Sequence, residues 1–327
     1  MHKPRIGVLR GGPSNEYDVS LNSGAAVLDA LRKRLDHLYE ARDILIDKNG
    51  VWHLDGVAFP AHDIASKIDV AFNALHGAYG EDGKIQAFLE AHRMPFTGSG
   101  SLASAVGMNK ILTKKALASH GIKSPYWTEV PSHRIRNEGD AVAQELFTTF
   151  VFPAVVKPAS SGSSVGVSVV RTLPELIAGL SNAAEHGDTI LVEEFIPGIE
   201  ATCGVIEGFR GHEIYALPPI EIRPHSGFFD YQAKYQGKSE EIVPATFPQS
   251  IKTALEDVSA RIHRALGLKQ YSRSDFIIHP RRGIYVLEVN TLPGLTGESL
   301  VPKALRAVGS DLHELVDHLI SRARNYR

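Results

Sequence analysis

Arg273-Ser-Asp275-Phe-Ile-Ile-His-Pro-Arg-Arg-Gly-Ile-Tyr-Val-Leu-Glu288-Val-Asn290 reads as two extended runs joined by a turn over Pro280 to Gly283. A loop of two or four residues sets Asp275 opposite Glu288 and Arg273 opposite Asn290. Side chains alternate along a strand, so all four then share one face. Two carboxylates directly across a sheet repel, and a cation is needed to offset the repulsion. Oxygen donors of this kind suit Mg²⁺ or Mn²⁺. A three-residue loop would turn Glu288 to the other face, and as an isolated pair the acids also fit a solvated hairpin. The run that follows, Thr291-Leu-Pro-Gly294-Leu-Thr-Gly-Glu-Ser299-Leu300, is turn-rich and carries hydroxyls where the strand would deliver a metal to a substrate.

The chain around this hairpin has 327 residues, too many for one ordinary core and enough for two or three domains. With 43% hydrophobic and 22% charged residues it has a globular composition. Lys and Arg number 35 against 37 Asp and Glu, a net charge of -2, which gives no electrostatic case for nucleic acid or an anionic membrane. Any phosphate must be bound locally. The one cysteine, Cys203, excludes an intrachain disulfide, fits a reducing compartment, and reads as a small buried hydrophobe rather than a nucleophile. No apolar run reaches the length of a membrane span, and Met-His-Lys-Pro-Arg leads into a strand without a signal segment, so the expected location is cytoplasmic.

The first third alternates strand and helix: a strand over Ile6 to Leu9, a Gly11-Gly12 turn, a helix from about Val19 to Leu35, an apolar run from Val70 to Leu75, and a helix through Ile85, Phe88 and Leu89. This is a doubly wound α/β pattern whose ligand edge falls at Gly11-Gly12 and His76-Gly77. A helical stretch from Met108 to Ser119 leads to strands at Pro153 to Lys157 and Gly166 to Val170, a helix with Pro174 first, and a strand from Thr189 to Ile196. From Glu200 onward come strands at Thr202 to Glu207 and Glu213 to Leu217, then a polar, aromatic loop from about Pro224 to Ile242. An amphipathic helix with Ile251, Leu255, Val258, Ile262 and Leu266 precedes the hairpin, and a last helix capped by Ser310 follows it.

Several segments between these elements carry chemistry. Ser160 to Gly166, a serine and glycine loop next to Lys157, lets the backbone approach a phosphate while hydroxyls and an ammonium neutralise it, although such loops are also plain flexible turns. No segment fits the Walker pattern. Gly98-Ser-Gly100-Ser-Leu-Ala103 resembles a dinucleotide fingerprint, but no acid follows until Glu129, so a Rossmann reductase is disfavoured. Glu193 and Glu194 point to opposite faces of their strand, and with Glu200 they could accept from a base or a ribose or simply face water. Lys234 and Tyr235 lie on a long loop of the lid type. In His76-Gly-Ala-Tyr-Gly-Glu81-Asp82-Gly-Lys-Ile-Gln86, residue by residue, Glu81 and Asp82 favour a helix start and His76 fits a satisfied turn histidine.

In order along nearly the whole chain, these blocks resemble the D-alanine:D-alanine ligase family of the ATP-grasp superfamily. Gly11 to Leu21, His76 to Ala87, Met108-Asn-Lys110, Val156-Lys157-Pro, Gly162-Ser163-Ser164-Val-Gly, Glu193-Glu194-Phe-Ile196, Lys234-Tyr235 and Arg273 to Leu300 carry the likeness. The resemblance implies an ATP-grasp fold: an N-terminal doubly wound α/β domain over residues 1–107, a small central subdomain over 108–197 and a larger C-terminal α+β domain over 198–327. It implies ATP between the last two, with Lys110, Lys157 and Ser164 at phosphates, Glu193, Glu194 and Ile196 at adenine, Glu200 at the ribose and Lys234 at the γ-phosphate. Asp275, Glu288 and Asn290 would hold two Mg²⁺ or Mn²⁺ ions. Glu16 would pair with the first D-alanine's ammonium, and Glu16, Ser163 and Tyr235 would form a chain to the lid. Arg273 and the Gly294 N–H would stabilise an oxyanion, and His76, Ser299 and Leu300 would complete the substrate site. The implied reaction proceeds through D-alanyl phosphate to D-alanyl-D-alanine for peptidoglycan, in a homodimer. A D-alanine:D-lactate ligase or a non-catalytic nucleotide-binding protein are the rival expectations. Arg10, Asn109, Ser160-Ser161 and Gly297-Glu298 depart from the family pattern.

Overall fold

In the computed structural model, which describes residues 3–160, 162, 165–224 and 239–325, three sheets follow one another along the chain. The first is centred on β1 (Arg5–Gly11), where Ile6, Val8 and Leu9 are fully buried. It pairs in parallel with β2 (Glu40–Ile46) and β5 (Val70–Asn73), and β3 (Trp52–Leu54) and β4 (Val57–Ala58) add an antiparallel edge, an extension the sequence patterning did not reveal. Gly11 and Gly12 at the end of β1 have φ of 87° and 91°, a backbone region that favours glycine. The helix that follows is Tyr17–Lys33, two residues earlier at each end than its apolar spacing indicates. Arg10, in a position expected to be apolar, reaches to the neighbouring β2 to form a two-pronged pair with Asp43 at 2.7 and 2.6 Å.

The second sheet is antiparallel, β6 (Trp127–Pro131), β7 (Ala154–Pro158), β8 (Ser168–Val170) and β9 (Thr189–Glu194) in the order β6-β9-β7-β8. Helices Ser132–Thr149 and Leu173–Ala184 bury Val142, Leu146, Leu176 and Leu180 against Val156, Ile190 and Val192. The second of these helices opens with a capping box between Thr172 and Glu175, which makes Pro174 its second residue and not its first. The single helix expected over Met108 to Ser119 is two, Ser101–Met108 and Lys110–Ser119. They part at Asn109, whose Oδ1 accepts from the N–H groups of Ile111 and Leu112 at 3.0 and 3.1 Å. Asparagine caps a helix as well as aspartate does, so this departure from the family pattern is structurally neutral.

The third sheet contains β10 (Ile199–Glu207), β11 (Ile214–Ala216), β12 (Ile220–Pro224), β13 (Ser239–Ile242), β14 (Tyr271–His279) and β15 (Gly283–Asn290), ordered β13-β12-β10-β14-β15 with β11 on β10. Helix Gln249–Ala265 covers it with Leu255 and Ile262. The terminal helix Leu312–Asn325 places Leu315, Val316, Leu319 and Ile320 in one core with Ile6, Val8, Val27 and Leu31, so the first and last elements of the chain are packed together. Its cap is Asp311, which accepts the Glu314 N–H at 2.9 Å; Ser310, the expected cap, donates to the Glu314 carboxylate at 2.6 Å instead.

The β14–β15 hairpin reaches the anticipated register by an unanticipated route. His279 pairs with Gly283, which leaves a three-residue loop and would by itself send Glu288 to the wrong face. Phe276 pairs with Val286, however, and Asp275 with Glu288, so Leu287 is an extra residue and forms a bulge. The bulge restores Asp275 opposite Glu288 and Arg273 opposite Asn290.

Between β9 and β10, Gly198 lies against β14 so closely that a Cβ would stand 2.6 Å from Ile277 Cγ2 and would also meet the Ile278 backbone. Gly198→Ala is expected to cost roughly 1–3 kcal/mol of stability, read as a lowered midpoint in thermal or urea unfolding. An unchanged midpoint would show that this crossing yields freely.

Candidate active site

A cavity of about 220 Å³ is lined by residues from all three sheet regions: Glu16, His76 and Glu81 from the first, Lys110 and Gly162 from the second, and Glu200, Arg273, Asp275, Glu288, Asn290, Gly294, Ser299 and Leu300 from the third. Most residues singled out in the sequence therefore meet. Lys157, Glu193 and Ile196 are buried and are not among the residues that line it. Ser163, Ser164, Lys234 and Tyr235 lie outside the described residues.

On the hairpin wall Arg273 and Asp275 form a two-pronged pair, Nε to Oδ1 at 2.9 Å and Nη2 to Oδ2 at 2.8 Å, and Thr202 Oγ1 donates to Asp275 Oδ1 at 2.6 Å. Burial alone would lower the Arg273 pKa, but Asp275, with Glu288, outweighs burial and raises it, so the guanidinium stays charged. Lys110 Nζ lies 3.3 Å from Glu288 Oε2. Asn290 Oδ1 accepts the Leu292 N–H at 3.0 Å and fixes the start of the loop after β15. A carbonyl oxygen has a second lone pair, so Asn290 can still serve as a ligand. Asp275, Glu288 and Asn290 thus present hard oxygen donors on one face, and the ammonium of Lys110 and the guanidinium of Arg273 already offset the two carboxylates. That donor set fits Mg²⁺ or Mn²⁺.

The opposite wall comes from the turn after β1 and the loop after β5. Ser14 Oγ donates to His76 O at 2.8 Å and accepts the Glu16 N–H at 2.9 Å, which ties the two loops together. Glu16, His76 and Glu81 offer donor atoms within 4.8 Å of one another. Gly162 closes over Glu16: a Cβ there would stand 2.6 Å from Glu16 Oε1. His76 Nε2 is 2.8 Å from Ser23 Oγ, which also accepts the Leu295 N–H at 3.3 Å, so a buried serine of the first helix joins the histidine to the loop carrying Gly294. Burial lowers the His76 pKa, with Glu16 opposing.

Two side chains escaped the sequence reading. Glu81, read there as favouring a helix start, is buried, accepts the Gly77 N–H at 2.9 Å and stands 3.9 Å from His76 Nδ1. Burial and the neighbouring charge of Glu16 push its pKa up to about 8. Asp82 is the acid that serves the helix start, accepting the Lys84 N–H at 3.1 Å. Lys114 was not singled out at all, yet its ammonium lies 2.9 Å from Glu193 Oε1 while Lys157 takes Oε2 at 2.8 Å. Its spacing, one turn beyond Lys110 on a single helix, was the available signal. Glu194, on the other face of β9, pairs with Arg282 at the hairpin tip. Cys203 is buried as expected, and burial holds its thiol at about 12, far from thiolate chemistry. Among the described residues no helix is long and apolar enough to cross a membrane.

Known proteins share this architecture. Residues 103–321 match the family model described as "D-ala D-ala ligase C-terminus", and residues 55–99 match "D-ala D-ala ligase N-terminus". The chain is 40% identical to the D-alanine–D-alanine ligase of Syntrophotalea carbinolica over 99% of this chain and 97% of that protein. It is 41% identical to that of Geobacter sulfurreducens over 98% and 94%. Among solved structures, the VanG D-Ala:D-Ser ligase from Enterococcus faecalis superimposes with a TM-score of 0.85 at 29% identity, covering 98% of this chain and all of that one. The D-alanine–D-alanine ligase from Coxiella burnetii gives 0.83 at 27% identity, covering 99% and 95%.

The state of Glu81 has a measurable consequence. Its folded pKa is about 8 against 4.5 for the free group, so between these values the native chain holds a proton that the unfolded chain has released. Stability falls with rising pH wherever the native state binds more protons. Relative to Glu81→Gln, the wild-type chain is therefore expected to lose stability as pH rises from about 5 to 8 in urea unfolding. A difference independent of pH over that window would contradict a buried, protonated Glu81.

Proposed function

The chain belongs to the D-alanine–D-alanine ligase family, and from that premise we propose how its pocket divides the labour of joining two D-alanines at the expense of ATP. It is an ATP-dependent, carbon–nitrogen bond-forming ligase of ATP-grasp fold that makes the D-alanyl-D-alanine used in peptidoglycan. The observation that carries the division of roles is the shared cavity: Glu16, His76 and Glu81 line it from the N-terminal loops, and Arg273, Asp275, Glu288 and Asn290 line it from the hairpin.

The acidic wall suits a zwitterion's ammonium. Glu16 takes the ammonium of the first D-alanine, with His76 and Glu81 behind it. The carboxylate of that alanine then attacks the γ-phosphorus of ATP, and ADP leaves. Phosphoryl transfer depends on alignment and charge neutralisation rather than on covalent help from the protein. Lys110 and Lys157 supply positive charge at the phosphates, and Ser164 and Lys234 take the corresponding roles in the loop and the lid. Glu200 holds the ribose, and Glu193, Glu194 and Ile196 meet the adenine. Asp275, Glu288 and Asn290 would hold one or both Mg²⁺ or Mn²⁺ ions, whose contribution when bound is to neutralise phosphoryl oxygens.

The product of this step is D-alanyl phosphate. The neutral amine of a second D-alanine adds to its carbonyl carbon, and phosphate departs as the tetrahedral adduct collapses to the amide. Arg273 and the Gly294 N–H donate to the oxygen that becomes negative in that adduct. Ser299 and Leu300 bind the second alanine's carboxylate end. The Ser299 hydroxyl already accepts the Thr296 N–H at 3.1 Å, and a Cβ on Gly294 would lie 2.8 Å from it, which keeps the loop compact at the second subsite. The family likeness would add a Glu16, Ser163, Tyr235 chain, whose last two members lie outside the described residues. We take residues 1–107, 108–197 and 198–327 as the three domains, the cytoplasm as the location, and a homodimer as the assembly.

Incubation of the chain with Mg-ATP and D-alanine is expected to release phosphate in step with D-alanyl-D-alanine; no D-alanine-dependent phosphate would end this reading, and a preference for D-lactate near neutral pH would redirect it. Asp275→Asn should lower turnover by about 10²-fold or more with the chain still folded. Wild-type turnover in that variant would remove Asp275 from the metal and phosphate machinery.

A further inference from the structure

Glu193 is matched by more positive charge than one carboxylate needs. It is almost wholly buried, and two ammonium groups approach it, Lys114 at 2.9 Å and Lys157 at 2.8 Å. Burial pushes Glu193 up, and the two lysines together outweigh burial and hold it below the usual carboxylate range. Lys114 bears the opposite strain: burial and the charge of Lys157 bring it down to about 8 in spite of Glu193. A buried ion is costly unless it is needed as a partner. The second lysine therefore calls for a reason.

The reason lies in what the two lysines can reach. Lys157 is the one assigned above to the nucleotide's phosphates, and each N–H of its ammonium that turns to a phosphate is one fewer for Glu193 Oε2, 2.8 Å away. Lys114 is the more deeply buried of the two, 2% exposed on helix Lys110–Ser119 against 9% for Lys157, and it is held by a further donation to Pro125 O at 3.4 Å. If Lys157 left and Lys114 were absent, Glu193 would be an unpaired buried carboxylate and would take up a proton. Its buried Oε1, 2.9 Å from the Lys114 ammonium, has no aligned hydrogen bond among the described residues and so keeps acceptor capacity for an N–H donor. An ionised carboxylate accepts from a 6-amino group and repels a 6-oxo group, whereas a protonated one can donate to the 6-oxo group and no longer separates them.

We propose that Lys114 is the permanent counter-ion of Glu193, which frees Lys157 for the phosphates and keeps Glu193 a pure acceptor, so that Lys114 sets the preference for a 6-aminopurine over a 6-oxopurine nucleotide. This rests on the reading of Glu193 as an adenine contact. Lys114 is a positioning residue: it acts through Glu193 and touches no substrate.

The test uses the full chain, saturating D-alanine, and ATP and GTP as the two probes. In Lys114→Met the KM for ATP should rise about 10-fold or more with kcat within about 3-fold, the KM for D-alanine should not move, and the ratio of kcat/KM for ATP over GTP should fall by about 10-fold or more. Lys114→Arg, which keeps the charge, should recover most of that ratio. A folded Lys114→Met with the wild-type ratio overturns the proposal. Glu193→Gln separates the two layers of inference: if it leaves the ratio unchanged, the adenine reading of Glu193 falls and the proposal with it, whereas if it lowers the ratio and Lys114→Met does not, only the role of Lys114 falls. The pair Glu193→Gln with Lys114→Met leaves no buried carboxylate unpaired and keeps the question open to measurement if Lys114→Met alone does not fold. Added to Glu193→Gln, Lys114→Met should change the ATP KM by less than about 2-fold, and a further loss of about 10-fold would overturn the proposal.

Discussion

A carboxylate taken out of water costs several kcal/mol unless a cation or a proton compensates it, and the cavity of this chain brings acids together from every side. Each main group of acids is compensated differently. Asp275 is held by Arg273, Glu288 by Lys110, and Glu193 by Lys114 with Lys157. Glu81, buried and next to Glu16, keeps its proton. In the proposed division of roles, the substrates would bring the complementary charges: ammonium groups for the acidic wall, phosphates for the lysines, and divalent ions for the hairpin acids. Binding can then exchange one set of ion pairs for another without leaving a bare charge in the interior. The positions of Lys110 and Lys157, each within 3.3 Å of a carboxylate, fit groups that wait on the protein's own anions.

That exchange depends on backbone geometry set far from the charges. The bulge at Leu287 decides which face Glu288 occupies, and the three-residue loop before it would otherwise undo the pairing with Asp275. Ser14 and Ser23 play a similar part at the other wall, where hydroxyls bind His76 to the two loops that frame it. The shared core of the first and terminal helices then fixes one wall relative to the other.

How much of this was legible in the sequence depends on the range of the interaction. Strand alternation and ordered motifs were enough to bring Arg273, Asp275, Glu288 and Asn290 together and to anticipate the three-part fold. The register itself was anticipated through the wrong turn, because an inserted residue within a strand leaves no composition signal of its own. Glu81 and Lys114 were missed for a different reason. An acid at a helix start and a lysine on a helix are ordinary surface features locally, and only tertiary packing buries them against Glu16 and Glu193. Asn109, Arg10 and Ser310 show the converse: each looked like a departure or a cap, and each was resolved by one partner, the helix N–H groups, Asp43 and Glu314.

On the proposed reading, the hairpin acids are a cation site whose place the protein's own cations keep. Mn²⁺ binding to the full chain in the presence of a non-hydrolysable ATP analogue, followed by electron paramagnetic resonance, tests it most directly. Glu288→Gln should weaken that binding by about 10-fold or more while the chain remains folded. Binding of equal strength and stoichiometry in the variant would contradict the claim.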